Sequence, residues 1–242
     1  LLGQADIPEM PNLRHGLSAG EKLPPAVCAH WESTTKTPVY EAYGMSECST
    51  FISASPDHPM PATVLGRPQQ GRRIALLHEN GPVEIGHEGT IAVHRSDPCL
   101  ILVYLDAPDE TAAKMQGDWF LTGDQGSMDE DFKITYLGRN DDMMNAGGFR
   151  VSPVEVESCL ARFEGITAVG AAEVCVKQDV NVIAAFYTAA APLDEGALRS
   201  YSETNLARYK QPRVFIHLPQ LPMGANGKLL RRALRQQYEA SR

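Results

Sequence analysis

The heptad "VSPVEVE" at 151–157 is a complete helix-start signal, and it divides the chain into two kinds of pattern. Ser152 can cap a first turn and Pro153 suits the first helical position. Glu155 completes an S-x-x-E box, and Val151 can staple onto Val156. Downstream come two β-like runs, "ITAVGAAEVCV" and "VNVIAAFYTA", a helical segment near 193–207, a strand at "RVFIHL" and a basic helix from about 228. Helix, strand, strand, helix, strand describes a compact α+β domain. Upstream, from about 63 to 105, the runs "RRIALL", "GTIAVHR" and "CLILVYL" alternate with Gly/Pro turns, which predicts a small antiparallel sheet or distorted barrel. "APDETAAKMQ" reads as a short surface helix, "FKITYLGR" as a strand ending at Gly138, and "RNDDMMNAGG" as a linker. Residues 1–60 begin without Met and without a capped first element, so they read as the continuation of a longer fold. The expected division is 1–140, with a barrel-like part over about 63–140, and 141–242.

At 242 residues the chain can bury a sizeable core. It carries 22 basic and 30 acidic side chains, and the basic ones are scattered rather than gathered in a stripe, which argues against nucleic acid as a partner. No apolar run approaches the ~20 residues of a membrane-spanning helix. Five cysteines at wide spacing, without a C-x-x-C pair, suggest neither a disulfide framework nor a zinc site, and point to the reducing cytoplasm. The histidines show no ligand spacing.

Four polar clusters carry the chemistry. In "YEAYGMSEC", Tyr43 and Gly44 precede Ser46 and Glu47; a hydroxyl beside a carboxylate can bond a phosphate oxygen and hold magnesium, although a Gly turn with two solvated residues has the same letters. Asp124, after Gly123, offers two carboxylate oxygens to a vicinal diol such as ribose, and Arg139 at the far end of the hairpin could reach the same sugar; a strand-end salt bridge is the plainer alternative. Gly147 and Gly148 permit close backbone approach, or form an ordinary turn. Lys228 follows an Asn-Gly turn, where it is either a mobile charge for a phosphate or a solvated lysine at a helix start.

Taken in order, "SAGEKLPP", "YGMSE", "WFLTGD", "YLGRNDDMMNAGGFRVSPVEVE", "YKQPRVF" and "NGKLLRR" make the chain resemble the acyl-adenylate-forming enzymes: acyl-CoA and aryl-CoA synthetases, peptide-synthetase adenylation domains and luciferase. The resemblance implies the distal part of a large AMP-binding domain, of mixed α/β character, followed by a small mobile α+β domain. It implies activation of a carboxylic acid by ATP and Mg2+ as an acyl-adenylate, then transfer to coenzyme A. Residue by residue, it implies that Gly20, Glu21 and Tyr43 wall the adenine, with Gly44 beside them. Ser46 would bond the α-phosphate, Glu47 would hold the metal, and Asp124 and Arg139 would grip the ribose. Asp141 would be the hinge, Lys228 would bridge acyl carboxylate and phosphate, and Gly147, Gly148, Phe149 and Arg150 would line the coenzyme A path.

Two departures stand out. The family's Gly-rich phosphate loop is absent, because "ESTTKTP" has no glycine, and Met223 and Gly224 stand where a basic residue and Thr usually precede the lysine. The resemblance therefore implies that the N-terminal part of the large domain, with most of the acyl pocket, is missing, and that this chain alone adenylates poorly. A carrier-protein-loading adenylation domain and a non-catalytic AMP- or partner-binding fragment are the alternatives. "GGFRVSPVEVE" resembles the coenzyme A branch more than the carrier branch.

Overall fold

A computed structural model describes residues 10–240 apart from 21, 22, 24, 62, 63, 147, 178, 179, 225 and 226. The chain forms two compact units, Leu1–Tyr136 and Leu137–Arg242, each with its own core.

In the first unit the elements are β1 (Gly16–Ala19), α1 (Pro25–Thr35), β2 (Val39–Met45), β3 (Ser49–Ser53), β4 (Val64–Pro68), β5 (Ile74–His78), β6 (Gly81–Pro82), β7 (Glu88–His94), α2 (Pro108–Ala113), β8 (Met115–Gln116), β9 (Trp119–Met128) and β10 (Ile134–Arg139), the last running on into the second unit. The strands pair along one open path, β1-β2-β3-β4-β10-β9-β7-β5-β6, with β8 on β9. β1 and β2 are parallel; the antiparallel pairs beyond them include β2–β3, β3–β4, β4–β10, β7–β9, β5–β7 and β5–β6. Cys48, Phe51, Ile52, Leu76, Ile91, Val93 and Ile134 form the core beneath.

This sheet has to bend strongly. Tyr43 on β2 and Asp124 on β9 are four strands apart along the path, about 19 Å in a flat sheet at ~4.8 Å per strand, yet their side chains are hydrogen-bonded. Gly66 on β4 sits at the fold-over: its φ is +134°, and a Cβ there would lie 2.0 Å from the Ser53 carbonyl carbon. Beside it, the β4–β10 register shifts between Ile134 and Thr135.

The second unit contains the ribbon β11 (Met144–Ala146) and β12 (Phe149–Val151), α3 (Pro153–Leu160), β13 (Ala168–Lys177), β14 (Val180–Thr188), α4 (Glu195–Asn205), a single 3-10 turn at Arg208–Lys210, β15 (Val214–His217) and α5 (Arg231–Ala240). β13 and β14 form an antiparallel hairpin, and β15 joins β14 in parallel. Both sheet faces are covered, which is why these strands read as unbroken apolar runs. Ala171, Ile183 and Ala185 pack with Val156 and Leu160 of α3, while Ala172, Val174, Ala184 and Phe186 pack with Leu234 of α5.

The predicted start of α3 is present, with one change. The Ser152 hydroxyl accepts the Glu155 N–H at 3.2 Å and donates to the Leu137 carbonyl at 2.5 Å. Glu155 does not close the box; both its oxygens take the Lys210 ammonium at 2.7 Å. Two expectations are corrected. "CLILVYL" is not a strand but an irregular loop, with Leu102 97% and Leu105 89% exposed, because its backbone and Tyr104 are tied to polar partners rather than to a neighbouring strand. "RNDDMMNAGG" is not simply a linker: Met143 and Met144 are buried, and Met144 opens β11 in the core of the second unit. The helix α1 was not foreseen, and it absorbs the phosphate-loop look-alike. Glu32–Thr35 are its last turn, where Lys36, at φ +55°, donates its ammonium to the Ser33 carbonyl at 2.7 Å.

A partly buried ionic cluster ties α5 to the start of this unit. Arg231 forks onto Glu157 at 2.8 and 2.9 Å and reaches Asp142 at 3.0 Å, while Glu157 also accepts the Ala171 N–H. Burial pushes the Glu157 carboxyl above its ordinary range, and Arg231 pulls it back. A carboxyl raised in the folded state binds a proton that the unfolded chain releases, so its contribution is full below the unfolded pKa and is lost as pH rises through the folded one. Arg231→Leu removes the opposing pull. Its cost is expected to be small near about pH 4 and to reach about 3–5 kcal/mol by about pH 8, measured by urea denaturation at both pH values; an equal cost at both would contradict this pairing. Gly66→Ala is expected to cost at least about 2 kcal/mol through strain and overpacking, read from the same denaturation midpoint, and an unchanged midpoint would mean the bend does not need this glycine.

Candidate functional site

The carboxylate foreseen at position 124 lies in the middle of β9 and is 8% exposed. Its Oδ2 accepts a short hydrogen bond from the Tyr43 hydroxyl, and its Oδ1 accepts one from Tyr136 on β10 at 3.4 Å. Its own N–H donates to the Thr122 hydroxyl, which donates in turn to the Ile91 carbonyl at 2.7 Å, so β7 fixes the backbone that presents it. Burial, and then the neighbouring carboxylate, push the Tyr43 phenol far above its ordinary range, so it remains a donor. The Tyr43 ring is wedged edge-on against Phe51 at 5.2 Å. The result is a buried carboxylate held in place by phenols.

Gly20 comes to the same place by a different route. Ala19, the last residue of β1, pairs with Ala42, so Gly20 stands beside Tyr43 at the carboxyl ends of two parallel strands, turning away with φ +97°. Glu21 lies outside the described residues. Gly44 is needed for its backbone, since the β2–β3 register shifts at Tyr43/Gly44 and a Cβ on Gly44 would lie 2.2 Å from the Ser49 carbonyl oxygen.

The bulge throws the Ser46–Glu47 turn outward, with Ser46 exposed. Glu47 is pinned twice by the loop after β7: its carbonyl accepts the Ile101 N–H at 2.7 Å, and its Oε1 accepts the Tyr104 hydroxyl at 2.7 Å. Partial burial and Glu47 push the Tyr104 phenol up to about 12. Beneath the turn, Arg72 donates to the Cys48 carbonyl, and its Nε meets Asp97 at 2.9 Å in a buried pair whose attraction is ionic rather than an aligned hydrogen bond. Burial pushes the Cys48 thiol up to about 12, which rules it out as a nucleophile near neutrality. Among the described residues no three His, Cys, Asp or Glu side chains cluster. A divalent ion bound with a nucleotide could take Glu47 as a ligand together with the nucleotide's own oxygens, a donor set that suits Mg2+.

The second unit carries the remaining residues. Arg139 Nε lies 3.5 Å from Asp141 Oδ1, and Asp141 sits in the turn after β10. Arg150 on β12 donates to the Asn140 side chain at 2.5 Å. Phe149, 56% exposed, lies against Tyr209 with centroids 4.7 Å apart. The two rings line a groove of about 430 Å³ together with Ala146, Arg208, Gln211 and Arg213. Gly148, at φ +87°, precedes Phe149, and Gly147 lies outside the described residues. Lys228 is exposed on a turn closed by Gly224 N–H to the Lys228 carbonyl at 2.7 Å, with Gly227 at φ +82°; Asn226 lies outside the described residues. Tyr136, Tyr104, Arg208, Tyr209 and Arg213 were not singled out from sequence. "YLGR" and "YKQPRVF" contain three of them, and their tyrosines were the available signal.

Within the first unit, then, the fold gathers Gly20, Tyr43, Asp124 and Tyr136, and sets Ser46 and Glu47 on the adjoining turn. Within the second it sets Phe149 beside a basic, aromatic groove. Residues 2–105 match the model of the AMP-binding enzyme family. The mouse mitochondrial acyl-coenzyme A synthetase ACSM5 is 36% identical over 237 residues, 93% of this chain and 41% of that protein; human ACSM4, also mitochondrial, is 32% identical over 93% and 41%. The chain thus spans about 41% of the length of these curated relatives. Among solved structures, the anthranilate CoA ligase AuaEII in complex with anthranoyl-AMP superposes with a TM-score of 0.82 at 30% identity, over 95% of this chain and 46% of that one. The Bacillus subtilis o-succinylbenzoate CoA synthetase with its acyl-adenylate intermediate gives 0.82 at 29%, over 94% and 47%. The family model over residues 2–105, the acyl-CoA synthetase relatives and the adenylate-forming neighbours together relate this chain to the AMP-binding enzymes.

Proposed function

We propose that this chain is the C-terminal part of an ATP-dependent, AMP-forming acyl-CoA or aryl-CoA synthetase, an acid-thiol ligase whose acyl pocket and phosphate loop lie in a preceding segment. The observation that carries the reading is the buried, phenol-held carboxylate of Asp124 beside Gly20 and Tyr43. A ribose diol can donate to both of its oxygens, and such charge-assisted bonds orient the nucleotide as well as bind it. Arg139 would reinforce the ribose contact. Gly20, Glu21, Tyr43 and Gly44 would bound the adenine, and Ser46 would bond the α-phosphate. Glu47 would hold Mg2+, which would spread positive charge over the ATP phosphates.

Residues up to about 140 then belong to the large domain and those from 141 to a mobile one, with Asp141 as the hinge. Lys228, exposed on a glycine-bounded turn, would meet the acyl carboxylate and the phosphate. Its charge would offset the charge that builds up as a carboxylate oxygen attacks the α-phosphorus and pyrophosphate leaves. For the second half-reaction, rotation at Asp141 would withdraw Lys228 and bring in Gly147, Gly148, Phe149 and Arg150. The groove between Phe149 and Tyr209, with Arg208 and Arg213 at its edge, has the mixture of rings and cations that suits the nucleotide end of coenzyme A. By itself this chain is proposed to be inactive or weakly active. A cytoplasmic location is proposed from the cysteine pattern, while the ACSM relatives are mitochondrial by name.

Two measurements on the full-length protein test the reading. Lys228→Ala is expected to slow pyrophosphate release about a hundredfold or more while leaving thioester formation from supplied acyl-adenylate near the wild-type rate; an equal loss in both would contradict a lysine used in only one half-reaction. Asp124→Ala is expected to weaken AMP binding, followed by calorimetry, by about tenfold or more, and unchanged affinity would remove its role. Acyl transfer only to a carrier protein, never to coenzyme A, would redirect the assignment to the carrier-loading branch.

A further inference from the structure

The loop between β7 and α2 has an arrangement that burial does not explain. Leu102 is 97% and Leu105 89% exposed, yet Tyr104 between them turns inward to a polar partner. Apolar burial would favour the reverse, at about 1.5–3 kcal/mol for a leucine. Polar contacts set the path instead. The Tyr104 N–H donates to the Thr111 hydroxyl at 2.9 Å, and that hydroxyl donates to the Ala107 carbonyl at 3.1 Å. Asp97, at the root of the loop, is locked to Arg72, which also holds the Cys48 carbonyl. The loop thus reaches the Ser46–Glu47 turn from three sides: at the Glu47 carbonyl, at the Glu47 carboxylate and, through Arg72, at the Cys48 carbonyl.

We infer that Tyr104 is a positioning residue for the metal: its hydroxyl fixes Glu47 Oε1 so that Oε2 is presented to the divalent ion bound with the nucleotide. The inference rests on the assignment of Glu47 as the ligand. A carboxylate on a tight turn would otherwise sample several rotamers. Among the described residues no group of three or more His, Cys, Asp or Glu side chains could hold the ion by itself, so the orientation of Glu47 bears directly on how well the ion is held. The hydrogen bond engages one oxygen and leaves the lone pairs of the other directed outward, as partners of metal-binding carboxylates do elsewhere. Ile101 contributes only a backbone N–H, so the side-chain specificity lies in Tyr104.

The test uses the full-length protein with the unreactive analogue α,β-methylene-ATP, and Mn2+ as the metal. Mn2+ affinity in the ternary complex is read by water-proton relaxation, and analogue affinity in excess chelator and melting temperature are read separately. Tyr104→Phe is expected to weaken Mn2+ about tenfold with the other two readings unchanged, because the ring keeps its place. Glu47→Gln should weaken Mn2+ at least as much. If Glu47→Gln weakens Mn2+ and Tyr104→Phe does not, or if the Tyr104→Phe loss follows a lowered melting temperature, the positioning role is overturned and the ligand assignment stands. If Glu47→Gln leaves Mn2+ affinity unchanged, the ligand assignment itself falls.

Discussion

The contact between Tyr43 and Asp124 constrains the first unit more than any other. It joins strands that the hydrogen-bonded path keeps apart, so the sheet has to curl until the face of β2 meets that of β9. Curling a sheet this far needs places where the backbone is unusual. Gly66 with its left-handed φ, the Gly44 bulge and the shift beside Ile134 provide them. What results is one buried carboxylate held by phenols from β2 and β10, with Gly20 beside Tyr43 and the Ser46–Glu47 turn at the end of β2. Geometry and chemistry are therefore not separate features here: a flatter sheet would not bring the two phenols onto one acid.

Burying that acid carries a desolvation cost, which its hydrogen-bond donors offset. Phenols suit this role better than a lysine would. Tyr43 and Tyr136 donate to Asp124 as neutral hydroxyls and add no charge of their own. The buried and partly buried charge pairs elsewhere have structural work. Arg72–Asp97 lies under the Glu47 turn, and Arg231 links Glu157 to Asp142 inside the second unit. Both clamp segments next to proposed functional residues, Glu47 in one case and Asp141 in the other, so each unit holds its reactive turn by ionic contacts that apolar packing could not direct.

How much of this was legible in sequence depended on how local each cause is. The cap of α3 lies within four residues and was readable, although Glu155 found Lys210 instead of the Ser152 backbone, a partner 55 positions away. The β13–β14 hairpin was readable because both faces are buried. "CLILVYL" was misleading because an apolar run predicts a strand only if a neighbouring strand is there to receive it, and here Glu47 and Thr111 receive the backbone and phenol instead. Met143 and Met144 were hidden among polar letters. In the site, Tyr43 and Asp124 came from separate motifs, but their bond spans 81 positions, and that from Tyr104 to Glu47 spans 57. Such pairs exist only once the sheet has curled, so Tyr136 and Tyr104 had no signal beyond being tyrosines.

In the proposed two-step reaction, Asp124 and Lys228 would make opposite demands on the backbone that carries them. A group that orients a nucleotide through two half-reactions has to stay still, and Asp124 sits mid-strand on a backbone bonded to β7. A group needed in only one half-reaction has to be withdrawn, and a mid-strand position would forbid that. Lys228 stands instead on a turn closed by glycines, in a unit with its own two-sided core. Such a unit supplies its own packing on both faces of its sheet. Under that proposal, the mid-strand carboxylate and the ammonium on a glycine-bounded turn stand on the kinds of backbone that their opposite requirements would demand.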